Sequence, residues 1–233
     1  MKMKHPFEFK GPLHEIIRFD GLIDTFNVYR FDFPNHIRDI VSKKYPELAT
    51  TLAREGYLDD TYYVLEKGNV KYSEKPLVRI HSACFHGDTL GHLICDCKQQ
   101  YERALKMISK EGQGLLIYCE KQDGRGINKK LHFQSYLDQQ NYGWNTFESY
   151  RKRGLKEDIR DYSNAIAILK FYGLKKIRLL TNNPDKIKPI EKSGISVERV
   201  PIWTDVNSYN KRQIDAKLER GHLKDEIKGG DLK

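Results

Sequence analysis

The sequence predicts an α/β fold, a mixed sheet with flanking helices, and two stretches carry that prediction. In the first, Val78 to Cys84 reads as a strand. From Cys97 the period turns helical, with Tyr101, Ala104, Leu105 and Ile108 on one face, Gly112 and Gly114 end that helix, and Leu115 to Cys119 is a short apolar run. Strand, crossover helix and strand is the repeating unit of parallel sheets. In the second, the apolar run Ile177 to Leu180 leads through Thr181-Asn182-Asn183-Pro184 into a helix, Asp185 to Lys192, and then to a further strand, Val197 to Ile202.

The remaining elements follow in order. Ile16 to Phe33 contains DTFNVYRFDF, whose alternation predicts a strand. Pro34 to Glu55 reads as a helix with Ile37, Ile40, Val41 and Tyr45 on one stripe. Tyr62 to Leu65 is strand-like, and Lys67-Gly68-Asn69 before Val70 predicts a hairpin. After the central unit, Gln122 to Gly126 is a glycine-rich loop, Ile127 to Gln140 a helix carrying Tyr136, and Asn141 to Glu157 a polar, aromatic loop over the site. Asp158-Ile159-Arg160-Asp161 is expected to open a helix with Ile166, Leu169 and Tyr172 on its apolar side, ended by Gly173. Asn210 to Arg220 is the final helix, and the tail from Lys224, with Gly229-Gly230, is expected to fray.

At 233 residues, 39% hydrophobic and 31% charged, the chain is long enough to bury a substantial core. No apolar run approaches a membrane span, and MKMKHPFEFKGP lacks the apolar region of a signal peptide, so a cytoplasmic protein is expected. The net charge of +9 points to an anionic partner. Lys and Arg are spread along the chain rather than blocked, which fits a small phosphorylated ligand; nucleic acid is not the expected partner.

Arg79 to Gln100, RIHSACFHGDTLGHLICDCKQQ, holds three of the four cysteines. In a reducing compartment three thiols so close point to a soft metal, zinc first, rather than to disulfides. Two arrangements fit. Cys84, Cys95 and Cys97 alone leave a coordination position open for water, as catalytic zinc does; a fourth ligand from His81, His86 or His92 closes the site and makes it structural. Cys119, inside an apolar run, is expected in the core. The thiols fall near a helix N-terminus, which favours thiolate. The loop Gln122-Asp123-Gly124-Arg125-Gly126 follows a strand at its carboxyl end, where α/β folds place ligands, and the Thr181 turn before a helix N-terminus suits an anion.

Together RIHSAC, GDTLGHLICDC with Gln100, DGRG, DIRD, LLTNNPDK and DAKLERGHL resemble the GTP cyclohydrolase II family, zinc enzymes of riboflavin biosynthesis, from about Tyr62 to Leu223. The resemblance implies that residues 61–223 form the catalytic domain, with residues 1–60 an N-terminal extension packed on it and 224–233 a tail. It implies zinc on Cys84, Cys95 and Cys97, and Mg²⁺ on the substrate phosphates. Arg79, His81, Ser82, Ala83 and Gln100 are expected to line the nucleotide pocket, Asp123, Gly124 and Arg125 to hold the triphosphate, and Thr146, Thr181 and Lys186 to make further contacts. Asp158 falls at the family's proton acceptor, Arg160 at its proposed nucleophile and Tyr136 at a tyrosine beside the metal-bound water. The implied reaction opens GTP at guanine C8 and releases formate and pyrophosphate, in a homodimer. An arginine nucleophile is chemically odd because its pKa is above about 12, so a clamp on the α-phosphate is the competing role.

Three departures from the pattern stand out. Ala83 stands where the family usually carries Glu, EGR is DGR set one residue further from the cysteines, and Ser149 and Tyr150 replace a small residue and an asparagine. These changes fit a paralogue with another purine nucleotide or a truncated reaction as well as a divergent ordinary enzyme. From a different class, the charge and the histidines near the cysteines fit a zinc-containing nucleotide- or RNA-binding protein without catalysis.

Overall fold

The computed structural model describes residues 6–34, 43–45, 47–48, 51–52 and 59–223. Among them seven strands form one sheet: β1 (Glu8–Phe19), β2 (Leu22–Pro34), β3 (Asp59–Lys67), β4 (Leu77–Ser82), β5 (Gly114–Cys119), β6 (Lys176–Leu180) and β7 (Ser196–Val200). Their spatial order is β1-β2-β3-β5-β4-β6-β7. The first four in space pair antiparallel. From β5 onward, β5-β4-β6-β7 pair parallel, so the predicted mixed sheet is present. The helices are α1 (Cys97–Glu111), α2 (Lys129–Tyr142), α3 (Thr146–Lys152), α4 (Ser163–Phe171), α5 (Pro184–Lys192) and α6 (Lys211–Glu219).

Alternation along the central strands distributes the core over both faces. Leu115 and Ile117 of β5 join Val78 and Ile80 of β4 against Ala165, Ile168 and Leu169 of α4 and Ile190 of α5. Leu116 and Leu77 join Ala104, Leu105 and Ile108 of α1 on the other face. The β4–α1–β5 unit is therefore the predicted crossover, and Cys119 is fully buried in the core, as expected. Both faces being covered explains why these strands read as continuous apolar runs.

Four local expectations change. The stretch Ile16 to Phe33 is two strands, not one: Asp20 and Gly21, both at positive φ, make a tight turn between β1 and β2. Asp-Gly is the residue pair such a turn requires. The hairpin after β3 does not form, because β2 and β5 already occupy both edges of that strand. Lys67-Gly68-Asn69 leads instead into a single turn at Val70–Tyr72, where Val70 N donates to Glu66 Oε1 at 3.2 Å. The expected loop over 141–157 contains α3, opened by a capping box in which Asn145 and Glu148 satisfy each other's backbone. Asp158 to Asp161 is not helical. It precedes α4, and Asp161 accepts from Ser163 N at 2.9 Å. Of the stripe predicted between Pro34 and Glu55, Ile37, Ile40 and Val41 lie outside the described residues, and Tyr45 is exposed.

Helices α2 and α3 are joined by a buried carboxylate. Asp138 accepts from Arg153 Nε and Nη2 at 2.8 and 2.7 Å and from Ser149 Oγ. Arg153 leads the interactions that hold Asp138 well below the ordinary carboxylate range. Its stabilisation is thus full above about pH 4 and is lost as pH falls through the depressed folded value. Asp138→Asn is expected to lower stability at pH 7 by about 2 kcal/mol, a charged hydrogen bond's contribution with Arg153 partly solvated. Denaturant unfolding at pH 7 and pH 3 checks this: the gap between wild type and variant should narrow at the lower pH.

Candidate active site

The site lies at the carboxyl ends of the parallel strands, where chain direction changes and loops diverge. Strand β4 places Arg79 and His81 on the α1 side, in register with Leu77, and hands the chain to Cys84. A wide turn, Phe85–Thr89, follows. Asp88 organises this turn: it accepts from Cys84 N at 3.0 Å and from Tyr118 Oη at 3.0 Å, and meets His81 Nε2 at 3.1 Å. The first thiol is thereby pinned to the sheet, while Cys97, the first residue of α1, comes from the opposite side.

The three thiols converge. Their ligand atoms all lie within 4.8 Å of one another, with Cys84 Sγ and Cys95 Sγ 3.8 Å apart. A tetrahedral ion with metal–sulfur bonds of about 2.3 Å requires a sulfur–sulfur edge of roughly 3.8 Å, so the spacing fits zinc. Hydrogen bonds from Cys84 and Cys97 pull the Cys95 thiol down, while those with Cys95 and Cys97 push Cys84 up. One negative charge shared by crowded sulfurs is what a cation would relieve. Among the described residues no histidine joins them. His86 and His92 instead pack their rings on Tyr136 at 4.8 and 4.7 Å, so the histidine-closed arrangement is not formed.

One pocket gathers the predicted residues. Cys84, Cys95, Cys97, Arg79, His81, Ser82, Gln100, Gly124, Arg125, Tyr136, Thr146, Arg160, Thr181 and Lys186 all line it. Asp123 and Asp158 do not. Asp123 turns away, accepting from Phe85 N at 2.7 Å and meeting His132 Nδ1 at 2.6 Å, so it shapes the thiol turn. Asp158 is exposed and does not line the pocket; it is bonded to Arg160 Nε at 2.9 Å and lies 3.6 Å from Arg125. Ala83 is on the wall, and Tyr150 is fully buried beneath the Gly124 turn. Sequence reasoning missed His132, four residues before Tyr136 on α2, Gln213 at the start of α6, and Lys217 and His222, which DAKLERGHL contained without any single residue standing out.

The rest of the wall is basic. Arg79, Arg125, Arg160, Lys186 and Lys217 line the pocket, and none of the lining residues is an aspartate or glutamate. Burial, then Arg79 and Arg160, drive Lys186 well below its ordinary pKa; its Nζ donates to Ile80 O at 2.8 Å. Burial works against the charge of Arg160, but Tyr162 and the Asp158 ion pair more than offset it and hold the guanidinium above its ordinary value. Burial, then the thiols, raise Tyr136, which stays a neutral phenol. Thr181 Oγ1 accepts from Asn183 N at 3.0 Å, and Asn183 caps α5 through Asp185 N, leaving that helix N-terminus beside Lys186.

The fit around the thiols is close on the backbone side too. A Cβ at residue 87 would meet Cys95 Sγ at 2.8 Å and Cys97 Cβ at 2.9 Å. Gly87→Ala is therefore expected to lower zinc affinity by at least about tenfold, as displacement of ligand support does, with the far-ultraviolet circular dichroism unchanged. Stoichiometric zinc at wild-type affinity, measured by chelator competition and elemental analysis, would count against the thiol cluster as a metal site.

Comparison with known proteins gives a consistent family. The family model described as GTP cyclohydrolase II matches residues 42–201. The chain is 41% identical over 175 residues to the riboflavin biosynthesis protein RibBA of Chlorobium phaeovibrioides, covering 74% of this chain and 42% of that protein. It is 36% identical over 190 residues to GTP cyclohydrolase-2 of Pseudomonas putida, covering 79% of this chain and 92% of the relative. GTP cyclohydrolase-2 of Helicobacter pylori is 45% identical over 153 residues, 65% of this chain and 78% of that protein. The chain spans less than half the length of the RibBA relatives it matches. With the profile matching more than half of its residues, the chain belongs to the GTP cyclohydrolase II family.

Proposed function

We propose that this chain is a zinc-dependent GTP cyclohydrolase, which opens guanine at C8, releases formate and pyrophosphate, and leaves a diaminopyrimidine ribosyl phosphate. The observation that carries the reading is the meeting of three thiols and five basic side chains in one pocket that no aspartate or glutamate lines. Such a pocket suits a polyphosphate whose base reaches a metal. Bound zinc supplies a Lewis acid and an acidified water at the base.

The side chains divide the remaining work. Tyr136, neutral and packed at the thiols, donates a hydrogen bond and orients the reacting water. Arg79, Arg125 and Lys186 hold phosphate oxygens, whose negative charge favours the protonated form of Lys186. Gly124 lets the loop approach them, Thr146 and Thr181 add hydroxyl contacts, and His81, Ser82 and Gln100 line the nucleotide. Arg160 acts as a clamp on the α-phosphate rather than as a nucleophile. Its ion pair with Asp158 keeps it fully protonated, and a protonated guanidinium has no lone pair to offer. Asp158 fixes that arginine and takes up a proton late, if at all, since burial is outweighed by Arg160 in setting its low pKa. Mg²⁺ arrives with the triphosphate, because no carboxylate lines the pocket to hold it. A homodimer in the cytoplasm, with 61–223 as the catalytic domain and 1–60 as an extension, completes the reading.

Ala83 favours a second reading, a paralogue acting on another purine nucleotide or stopping after one half-reaction. Guanine presents N1–H and amino donors, and the wall offers them no carboxylate. Incubating the zinc-loaded protein with GTP and Mg²⁺, and assaying formate, pyrophosphate and product mass, decides between the two. Both products with GTP support the first reading; one product alone, or turnover only with another purine nucleotide, supports the second. No turnover with any purine nucleotide leaves a binding protein. In the active case Lys186→Met is expected to lower kcat/KM about tenfold to hundredfold, and Arg160→Lys to retain more activity than Arg160→Met because charge suffices for a clamp.

A further inference from the structure

The C-terminal segment with the motif DAKLERGHL lies beyond residues 42–201 matched by the family model, yet the motif brings Lys217 and His222 into the pocket, and Gln213, two residues before it, joins them. Helix α6 is tied down by polar contacts from several elements. Gln213 Nε2 donates to Thr146 Oγ1 at 3.0 Å, Arg220 Nη2 to Glu157 Oε1 at 2.6 Å, and Leu223 N to Asn182 O at 2.9 Å. Arg220 also stacks on the Phe147 ring at 4.4 Å, beside Arg125 at 3.8 Å.

Lys217 ends differently from its neighbours, on Asp96, the residue between two of the three thiol ligands. Asp96 is 4% exposed and also accepts from Gln100 Nε2 at 2.7 Å and Thr204 Oγ1 at 3.3 Å. Gln100 Oε1 in turn takes Arg79 Nη2 at 2.6 Å, so Asp96 connects the thiol loop to the cationic wall. Three thiolates and Asp96 carry more negative charge than a divalent ion neutralises. Leaving that excess buried is costly, and a cation held against Asp96 reduces the cost.

We infer that Lys217 is a positioning residue of the thiol site, its ammonium fixing Asp96 between Cys95 and Cys97 and offsetting the excess anionic charge, so that metal affinity depends on the C-terminal helix. The inference rests on the reading of the thiols as a zinc site, but not on turnover. Lys217 acts on the thiol site through the neighbouring carboxylate of Asp96.

The test uses the full chain, stripped of metal and titrated with zinc against a chromophoric chelator, with cobalt absorption as a second readout. Lys217→Met is expected to weaken zinc about tenfold to hundredfold, the effect of losing an outer-shell partner, and to shift the cobalt–thiolate bands. Lys217→Gln keeps a donor to Asp96 and removes only the charge, so it should show the same loss and guards against misfolding of the Met variant. Lys217→Arg should restore most of the affinity. Arg220→Gln, which loosens α6 without touching Asp96, should stay within about twofold of wild type. Two results overturn the inference: zinc affinity of both uncharged variants within twofold of wild type, or an Arg220→Gln loss equal to theirs, which would assign the effect to helix docking. Zinc uptake needs no nucleotide. A wild-type chain that binds zinc and spares GTP refutes the proposed activity alone, whereas uncharged variants that bind zinc as wild type refute this inference alone.

Discussion

Two crowds of like charge meet in the pocket, and each is unfavourable by itself. Three thiols share a shell in which a full complement of thiolates is suppressed, and burial, then Arg79 and Arg160, drive Lys186 towards its neutral form. The strands hold both crowds in place at the ends of β4, β5 and β6, where the core beneath is apolar and tightly packed. A divalent cation relieves the first crowd and a polyphosphate the second, so the apo site is preorganised for both. The stability given up there is offset by the sheet and helices below.

The scaffold around this meeting of charges was readable where periodicity and burial agree. The strands 78–84 and 115–119 and the helix from Cys97 stand out because both sheet faces are covered, which writes continuous apolar runs into the sequence. The cysteine spacing and the LLTNNP turn were legible because each residue type has few alternative uses there. What escaped was relational. Asp88 looks like any turn aspartate until three donors are seen to converge on it. Asp123 was expected on the substrate, but its carboxylate is spent on Phe85 N and His132. Lys217 lies 121 residues from Asp96, and no local pattern announces a pairing at that separation.

The departures from the family pattern fall in two classes once their surroundings are visible. Ser149 and Tyr150 are fully buried on α3, where Ser149 supports the Asp138 network and Tyr150 fills space under the Gly124 turn. They repack the floor of the site without presenting new charge. Ala83 is different, since it faces the pocket and its smallness removes an acceptor from a wall that has no other carboxylate. Any change in base preference is more economically traced to that one position than to the repacked floor.

The strand order carries a further consequence for how the molecule is made. β5 inserts between β3 and β4, so the sheet grows outward from a centre whose partners are all synthesised by residue 119. The thiol turn and the strands that pin it thus emerge from the ribosome well before Lys186 or Lys217 exists. Since chains fold from the N-terminal side as they are made, the anionic half of the site can assemble first. Lys186 and Lys217 then join a thiol nest already in place beside Arg79.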